Sequence, residues 1–271
     1  MKKNSVIIVV GISLLACFLG CSKKENALTY SHIKGEATSF TDTVWSVSEK
    51  FGEVIKEDII RIIKFNLDEG GHAIDYTTYN SDGDIVKKTV EKWNGDEIDE
   101  IIDYASDGKE ERHYKFIMEN GKVRKRVISS GSILLSTETY YYNKDNKDRL
   151  DSMIIVRNDV DKDVHTYKYL DENNSYHKYT TFSDGRKKEA IYYKDKDGNV
   201  IKEKQSFGTC NYTFDENGLC VKEATSEGYV REYIYDFDSK GSLIKSTTYL
   251  TIPNEMKEAT EMMTRHIEYK K

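Results

Sequence analysis

The stretch Tyr192-Tyr193-Lys194-Asp195-Lys196-Asp197-Gly198-Asn199-Val200-Ile201-Lys202-Glu203 contains the pattern that determines the fold. Aromatic residues precede a cluster of Asp, Asn and Gly, and aliphatic residues with interspersed lysine follow it. Residues that alternate with a period of two are typical of strands with one buried face. Asp and Asn offer side-chain acceptors to a tight turn, and glycine supplies the positive φ that the turn needs. The stretch therefore predicts a β-hairpin.

The same unit recurs along the chain. Clear copies span Tyr76–Lys87, Tyr212–Glu223 and Tyr233–Lys245, and weaker turns of the same kind occur at Asn94-Gly95, Asp107-Gly108, Asn120-Gly121 and Asp184-Gly185. A period of about 20 residues corresponds to two short strands with their turns. We therefore predict an all-β fold, an antiparallel β-meander of repeated hairpins. About ten to fourteen strands would form an extended, twisted or partly curled sheet.

Composition agrees with this fold and excludes one class of partner. The 271 residues include 20 tyrosines and a single proline, Pro253, and long apolar runs are nearly absent after the first 20 residues. Tyrosine suits half-buried pleated surfaces, because its ring packs inward while its hydroxyl reaches water. The net charge of −6 has the wrong sign for holding a phosphate backbone. We expect no nucleic-acid partner.

The hairpin units resemble the tyrosine–aspartate (YD) repeats of bacterial surface and secreted proteins. The shared pattern, Tyr-x-[Tyr/Phe]-Asp-x-x-Gly-x-[Ile/Leu]-x-Lys, is carried by Tyr233–Lys245, and the likeness is best over residues 190–269. The chain also resembles lipoproteins built from such repeats that close on a Thr-Arg-x-Ile-x-Tyr strand, matched here by Thr264–Tyr269. The resemblance implies a repeat scaffold and says almost nothing about activity. In very large YD proteins the repeats enclose a toxin, a role for which this chain has no room.

The N-terminal 20 residues predict export. A basic start precedes an apolar run from Ser5 to Phe18, which is too short for a spanning helix. Leu19-Gly20-Cys21 resembles the lipobox of bacterial lipoproteins, in which Cys21 is lipidated and becomes the mature N-terminus. Cys17 is the alternative site, but Cys21 opens directly into polar residues. We therefore predict a signal peptide at 1–20, a lipidated tether at 21–40 and a YD-like β-repeat domain at 41–271.

Two segments leave the all-β assignment open. Residues 49–64 place apolar side chains at helical spacing, yet Arg61–Asn66 followed by Asp68-Glu69-Gly70 resembles the strand and turn of a repeat. We favour a strand there. Pro253–Met263 could open a short helix, but the alternation that follows favours a final strand.

The sequence contains no recognisable catalytic motif. G-x-S-x-G, H-E-x-x-H, C-x-x-C and phosphate-cradling glycine loops are absent, and the six histidines do not stand at metal-ligand spacing. Asp159–Asp163 and Asp195–Asn199 have the composition of a calcium loop. However, Leu170 stands where an EF-hand beginning at Asp159 needs Glu, and tight turns favour Asp for backbone reasons alone. We expect no enzyme activity, no metal and no cofactor.

Cys210 and Cys220 form a possible disulfide in an exported protein. If the turn spans Asp215–Gly218, Thr213 faces Cys220. Cys210 then lies about 10 Å away along the strand and points to the opposite face. A bulge or a looser turn could bring the two thiols together. Otherwise both are small apolar residues packed under the sheet.

The aromatic ladders supply the functional hypothesis. Exposed tyrosines could stack on sugar rings or dock a protein edge, whereas buried ones only build the core of a thin sheet. The possible binding face comprises Tyr192, Tyr193, Tyr212, Tyr233 and Tyr235. We expect a non-catalytic envelope scaffold or binding protein, held by lipid at the outer membrane or cell surface, that contacts a glycan or protein. The alternative is an accessory subunit of a periplasmic assembly or export complex.

Overall fold

The computed structural model describes residues 31–146 and 149–270, and these residues form 18 β-strands and no α-helix. A short 3₁₀ turn spans Asp171–Asn173. The strands are β1 Ala37–Lys50, β2 Glu53–Leu67, β3 Ala73–Tyr79, β4 Ile85–Asn94, β5 Glu97–Ala105, β6 Glu110–Glu119, β7 Lys122–Ser130, β8 Ile133–Tyr142, β9 Leu150–Arg157, β10 Asp161–Leu170, β11 Ser175–Thr181, β12 Lys187–Lys194, β13 Val200–Gln205, β14 Gly208–Phe214, β15 Cys220–Thr225, β16 Val230–Phe237, β17 Leu243–Thr251 and β18 Glu258–Tyr269.

The strands form one closed antiparallel sheet. Each strand pairs with the strands before and after it in the chain. β1 also pairs with β18, with Phe40 opposite Ile267 and Asp42 opposite Arg265. Closure removes the free edges that an open sheet would present to other chains. The predicted all-β meander of hairpins is confirmed, but it has more strands than expected and is closed.

The repeated Asp-x-x-Gly turn explains why the hairpins form. Asp195 Oδ1 accepts hydrogen bonds from the backbone N–H groups of Asp197 and Asn199, both at 2.9 Å. Gly198 has φ +92°, a conformation that L side chains rarely adopt. The next two copies use Asp215 and Asp238 in the same way. These carboxylates hold the turn backbone, as turn chemistry predicts.

The strand segments that the sequence left open are now decided. Residues 49–64 form the end of β1, a tight turn and most of β2, so the strand assignment is correct. Pro253 lies in the turn before β18, which begins at Glu258. Residues 37–40, assigned by sequence to the tether, belong to β1. Cys21 and the rest of residues 1–30 lie outside the described residues.

The two faces of the sheet differ in burial. Phe40, Thr89 and Tyr140 are at most 2% exposed and share one face through the strand register. All three clusters of buried apolar residues lie on that face. A closed sheet crowds side chains on its concave side and spreads them on its convex side, so this is the inward face. The outward face carries ion pairs such as Lys92 with Glu100 at 2.6 Å, in which the lysine is exposed.

The closed sheet has two edges with different roles. The terminal edge holds the start of β1, the end of β18 and the Asp195, Asp215 and Asp238 turns. The distal edge holds the turns that follow β1, β3, β5 and each later odd-numbered strand. Within the described residues, no helix has the length and hydropathy needed to cross a bilayer.

The β1–β18 seam contains a buried ion pair whose loss should destabilise the fold. Arg265 Nε and Nη2 donate to Asp42 Oδ1 and Oδ2 at 2.6 and 2.7 Å, and the two side chains are only 6% and 14% exposed. Asp42→Ala leaves a buried guanidinium uncompensated, so we expect a loss of about 3–5 kcal/mol in unfolding free energy. Urea denaturation measures this loss.

The matched control is Asp236→Ala, which removes an exposed outward pair with Lys245. Exposed pairs contribute about 1 kcal/mol or less. If Asp42→Ala costs no more than the control, the seam does not depend on this pair.

Candidate functional site

The inward face is divided into an apolar zone and a charged zone. The apolar zone adjoins the terminal edge, where Phe40, Phe65 and Leu67 pack under β1 to β3. Further clusters centre on Ile101 and on Tyr140. The charged zone lies toward the distal edge, where ion pairs such as Lys87–Asp103 and Arg157–Asp163 join neighbouring strands. The distal half therefore holds the charged and polar groups that specific recognition requires.

Ion pairs and hydrogen bonds order the charged zone. Arg126 Nη2 lies 2.7 Å from Glu138 Oε1, and Tyr140 donates its hydroxyl to the same carboxylate. Arg157 Nη2 lies 2.8 Å from Asp163 Oδ2. The Arg157 hydrogen bond, in particular, holds the pKa of the Asp163 carboxyl below its ordinary value. These charges are pre-arranged by the sheet register rather than by flexible loops.

A cavity of about 460 Å³ opens in this zone at the distal edge. Lys87 Nζ lies 2.8 Å from Asp103 Oδ2, and Thr89 donates to Asp103 Oδ1 at 2.7 Å. Arg112 hydrogen-bonds Tyr114, which raises the pKa of the guanidinium. Both charge signs and a phenol therefore line one concavity. Its lining residues are Lys87, Asp103, Glu111, Arg112, Tyr114, Ser130 and Leu135.

The half-buried Glu91 and the buried His165 have pKa values that depart from the ordinary ones. Burial raises the pKa of Glu91 from 4.5 to about 7, opposed by a hydrogen bond from Trp93 and assisted by the Asp103 carboxylate. Burial lowers the pKa of His165 from 6.5 to about 4, assisted by the positive charge of Lys178. His165 Nδ1 is 2.9 Å from Thr180 Oγ1. The imidazole is therefore neutral near pH 7, and the Glu91 carboxyl keeps its proton to a higher pH than an ordinary glutamate does.

The five tyrosines of the predicted binding face do not share one face. Tyr192 pairs with the inward Tyr176, and their rings stack with centroids 4.8 Å apart. Tyr212, Tyr233 and Tyr235 are also inward. Tyr193 points outward, where Lys202 Nζ lies 5.5 Å from its ring centroid. Adjacent residues of a strand face opposite sides, so Tyr192 and Tyr193 cannot act together.

The inward tyrosines have engaged hydroxyls. Tyr233 donates to Glu223 Oε1 at 2.9 Å, and Tyr235 donates to the Cys220 carbonyl oxygen at 2.6 Å. Burial raises the pKa of Tyr192 to about 12 and raises that of Tyr233 as well. These tyrosines form the wall of the inward face, and only the parts of their rings that face the interior remain for contact with a ligand.

Cys210 and Cys220 are free thiols. Both point inward, because Phe214 rather than Thr213 pairs with Cys220. The expectation that they face opposite sides is therefore wrong. The turn is one residue looser than assumed, and the irregularity between Thr213 and Phe214 restores the common face. Four strand positions still separate Cys210 from Phe214, the residue opposite Cys220.

Sequence reasoning missed Glu91, Asp103 and His165. Each stands two positions from an inward aromatic or aliphatic residue, which are Trp93, Ile101 and Tyr167 respectively. Alternation alone could thus have placed them on the inward face. It could not have shown which pairs meet across strands. Groups of three or more His, Cys, Asp or Glu able to hold a metal do not occur in the described part of the chain.

Comparison with known proteins finds likeness only among solved structures. No family model matches the chain, and no curated protein matches it. A porin-like protein from Bacteroides uniformis is 12% identical, with 86% of this chain and 96% of that chain covered and a TM-score of 0.47. A porin-like protein from Bacteroides vulgatus is 14% identical, covering 88% and 99%, with a TM-score of 0.40. The TcdB2–TccC3–Cdc42 complex is 12% identical, covering 76% of this chain and 16% of that one, with a TM-score of 0.27.

The raised pKa of Glu91 predicts a specific pH dependence of stability. Because the folded value of about 7 exceeds the ordinary value of 4.5, the native state binds the extra proton between these values. Its contribution to stability therefore falls as pH rises from about 4.5 to about 7. We expect Glu91→Gln to raise the melting temperature at pH 8 and to leave it unchanged near pH 4.

Glu100→Gln is the control, because its effect on stability should depend on pH in the opposite direction. The hydrogen bond from Lys92 is the largest cause that lowers the pKa of this outward carboxyl. The stability that Glu100 contributes is therefore present above the pKa of the unfolded chain and is lost as the pH falls through the lower folded pKa. The variant should be less stable at pH 8. Calorimetry at pH 4, 6 and 8 measures both, and a Glu91→Gln effect independent of pH would contradict the prediction.

Proposed function

We propose that this protein is a lipid-anchored binding protein of the bacterial cell envelope, without catalytic activity, that takes a glycan or protein group into the distal half of its inward face. The observation that carries the proposal is the charged cavity of about 460 Å³ lined by Lys87, Asp103, Arg112 and Tyr114. Convergent polar groups in a concave site fix the orientation of a bound ligand and give it specificity. The lipid anchor would concentrate this site at the outer membrane or cell surface.

The repeat character supports a scaffold role. The hairpins at Asp195, Asp215 and Asp238 share one turn geometry, and we infer that they are YD-like repeats adapted to a small closed sheet. The Asp and Gly residues of such turns hold the turn backbone in place. Specificity would therefore lie in the inward side chains, which differ from one strand to the next.

The proposed anchor leaves the cavity accessible. The described chain begins at residue 31, beside the terminal edge, where Lys34 N–H donates to Ser242 Oγ at 2.8 Å. The cavity is at the distal edge. A lipid on Cys21 would tether the domain from the side of its terminal edge, and the cavity lies at the opposite edge.

Glu91 allows the most direct test of the proposal that the protein is not an enzyme. A carboxyl group with a raised pKa beside a second carboxylate, Asp103, is the arrangement that a general acid would need. Asp103, however, is held by Lys87 and Thr89. Loss of a measurable glycan-cleaving turnover in Glu91→Gln, with the fold intact, would overturn the non-catalytic proposal.

A second candidate, an accessory subunit of an envelope assembly complex, is favoured by the distal turns. Phe51, Val160, Phe207 and Met256 are between 69% and 106% exposed, and all four belong to turns of the distal edge. No turn residue described at the terminal edge exposes a large apolar side chain to this extent. Such apolar tips suit contact with another protein.

Lipidation at Cys21 is directly testable. We expect Cys21→Ala to abolish incorporation of radiolabelled palmitate and to release the protein from the membrane fraction. Cys17→Ala is the matched control, because it removes the alternative thiol of the same segment. Retained label in Cys21→Ala together with lost label in Cys17→Ala would move the anchor to Cys17. Retained label in both would contradict the lipoprotein assignment.

The distal tips separate the two candidate functions. Replacing Phe51, Val160, Phe207 and Met256 by serine should leave the melting temperature unchanged, because these side chains are exposed. It should also leave ligand affinity unchanged under the main proposal. Loss of a co-purifying envelope protein, with ligand affinity intact, would favour the assembly role. Protease accessibility on intact cells, with lysed cells as control, then places the domain outside or in the periplasm.

A further inference from the structure

The cavity at the distal edge is lined by the extra residues of two β-bulges. On β6, Arg112 pairs with Asp103, but the next pair toward the turn skips Glu111. On β8, the same irregularity skips Leu135. Both skipped residues line the cavity together with Arg112. A regular strand would turn Glu111 and Arg112 to opposite faces. The bulge therefore places a carboxylate and a guanidinium within one concavity.

Glu111 and Arg112 are the accessible charges of this cavity. Both residues are exposed, and neither makes an ion pair within residues 31–146 and 149–270. The other two charges of the lining neutralise each other, because Lys87 Nζ lies 2.8 Å from Asp103 Oδ2. The second oxygen of Asp103 accepts a hydrogen bond from Thr89 at 2.7 Å. One cation and one anion of the cavity therefore remain available to a ligand.

The wall of the cavity positions the guanidinium of Arg112. Arg112 donates a hydrogen bond to the hydroxyl of Tyr114, and Tyr114 is only 8% exposed and packs with Ile98 and Ile101. A guanidinium has five N–H donors in a planar fork that matches a carboxylate, so one contact with a phenol leaves most of them free. A side chain that is already held in place also loses less conformational freedom when it binds a ligand. Arg112 is therefore prepared to receive an anionic group.

The signs and the separation of the two free charges indicate the ligand class. The charged atoms of Glu111 and Arg112 are more than 4.0 Å apart, although their Cα atoms are neighbours at about 3.8 Å. A ligand with only an anionic group would bring a like charge close to Glu111, and one with only a cationic group would do so at Arg112. An α-amino acid carries an ammonium and a carboxylate on one carbon and can satisfy both residues. The cavity volume of about 460 Å³ accommodates such a group.

We propose that the cavity binds an α-amino-acid head group, with the α-carboxylate on Arg112 and the α-ammonium on Glu111. The inference rests on the proposed binding function and gives it a ligand class. A free amino acid presents these two charges, and so does an amino acid that is joined through its side chain to a longer molecule. Because the cavity opens at the distal edge, the rest of a longer molecule would stay outside it.

The test is isothermal titration calorimetry of the purified lipidated protein in detergent. Alanine carries both charges, N-acetylalanine only the carboxylate and alaninamide only the ammonium, and glucose is the uncharged probe. We expect alanine to bind saturably. Each singly charged analogue should bind at least about tenfold more weakly, which corresponds to about 1.4 kcal/mol, because it leaves one charge of the site unpaired.

Two variants assign each charge of the site to one group of the ligand. Glu111→Gln should remove the preference for alanine over N-acetylalanine, and Arg112→Gln should remove the preference for alanine over alaninamide. Both residues are exposed, so the melting temperature should not change. The matched controls on the same strand are Glu119→Gln and Lys115→Gln, which change the net charge equally outside the cavity lining. They should bind alanine as the unmodified protein does, and equal weakening in variants and controls would overturn the site.

Further outcomes separate the ligand sources and the ways of failure. Nε-acetyl-lysine carries the head group on a long side chain. If it binds as alanine does, the site accepts a head group on a longer molecule, and if alanine alone binds, the ligand is a free amino acid; either result supports the assignment. N-acetylalanine that binds as tightly as alanine, or alanine that does not bind, would overturn it. The proposed function fails separately, since saturable binding of glucose without binding of alanine would keep the binding role, and lipidation is read at Cys21.

Discussion

The pairing of β1 with β18 is the constraint on which the rest of the structure depends. Each of the other strand pairs joins neighbours in the chain, whereas this one joins residues more than 200 positions apart, such as Asp42 and Arg265. Without it the meander would be an open sheet with two exposed edges. With it the sheet acquires a concave side, on which Phe40 becomes buried and Arg265 loses contact with water. The bidentate contact with Asp42 then becomes necessary, because an unpaired guanidinium there would be costly.

Closure also explains the order of the inward face. Side chains on a concave surface converge, so apolar groups near the terminal edge pack into clusters although each strand contributes only a few. Toward the distal edge the same convergence brings charges together, and the register pairs them across strands, as in Arg231 with Glu223. A low effective dielectric strengthens these pairs and shifts the pKa values of the groups left over. Glu91, whose pKa is raised by burial, is such a group.

The proposed binding role follows from this difference between the two halves. The terminal half is largely apolar and holds the entering chain, whose Lys34 is fixed to Ser242. The distal half combines the cavity around Asp103 with the exposed apolar turns. A scaffold of this kind can vary its inward side chains without altering the Asp-x-x-Gly turns that define its hairpins. Recognition and folding thus depend on different residues.

The sequence by itself determined the strands and turns of this protein. The Asp195 turn, the period of about 20 residues and the alternation around it depend on contacts between residues close in the chain, so local rules were enough to predict the all-β meander. The same alternation could have placed Glu91 and His165 inward. Only the tertiary structure decided that the sheet closes, because the match between Asp42 and Arg265 is a long-range contact without a local signal.

The tertiary structure also decided the face of each cysteine and the partners of each inward charge. A one-residue irregularity beside Phe214 turned Cys220 to the side of Cys210, and no local pattern fixes such a bulge. Likewise, alternation placed Tyr193 apart from Tyr192 but could not say which side is concave. That distinction exists only once the ring of strands is complete, and burial, pKa shifts and the candidate site all follow from it.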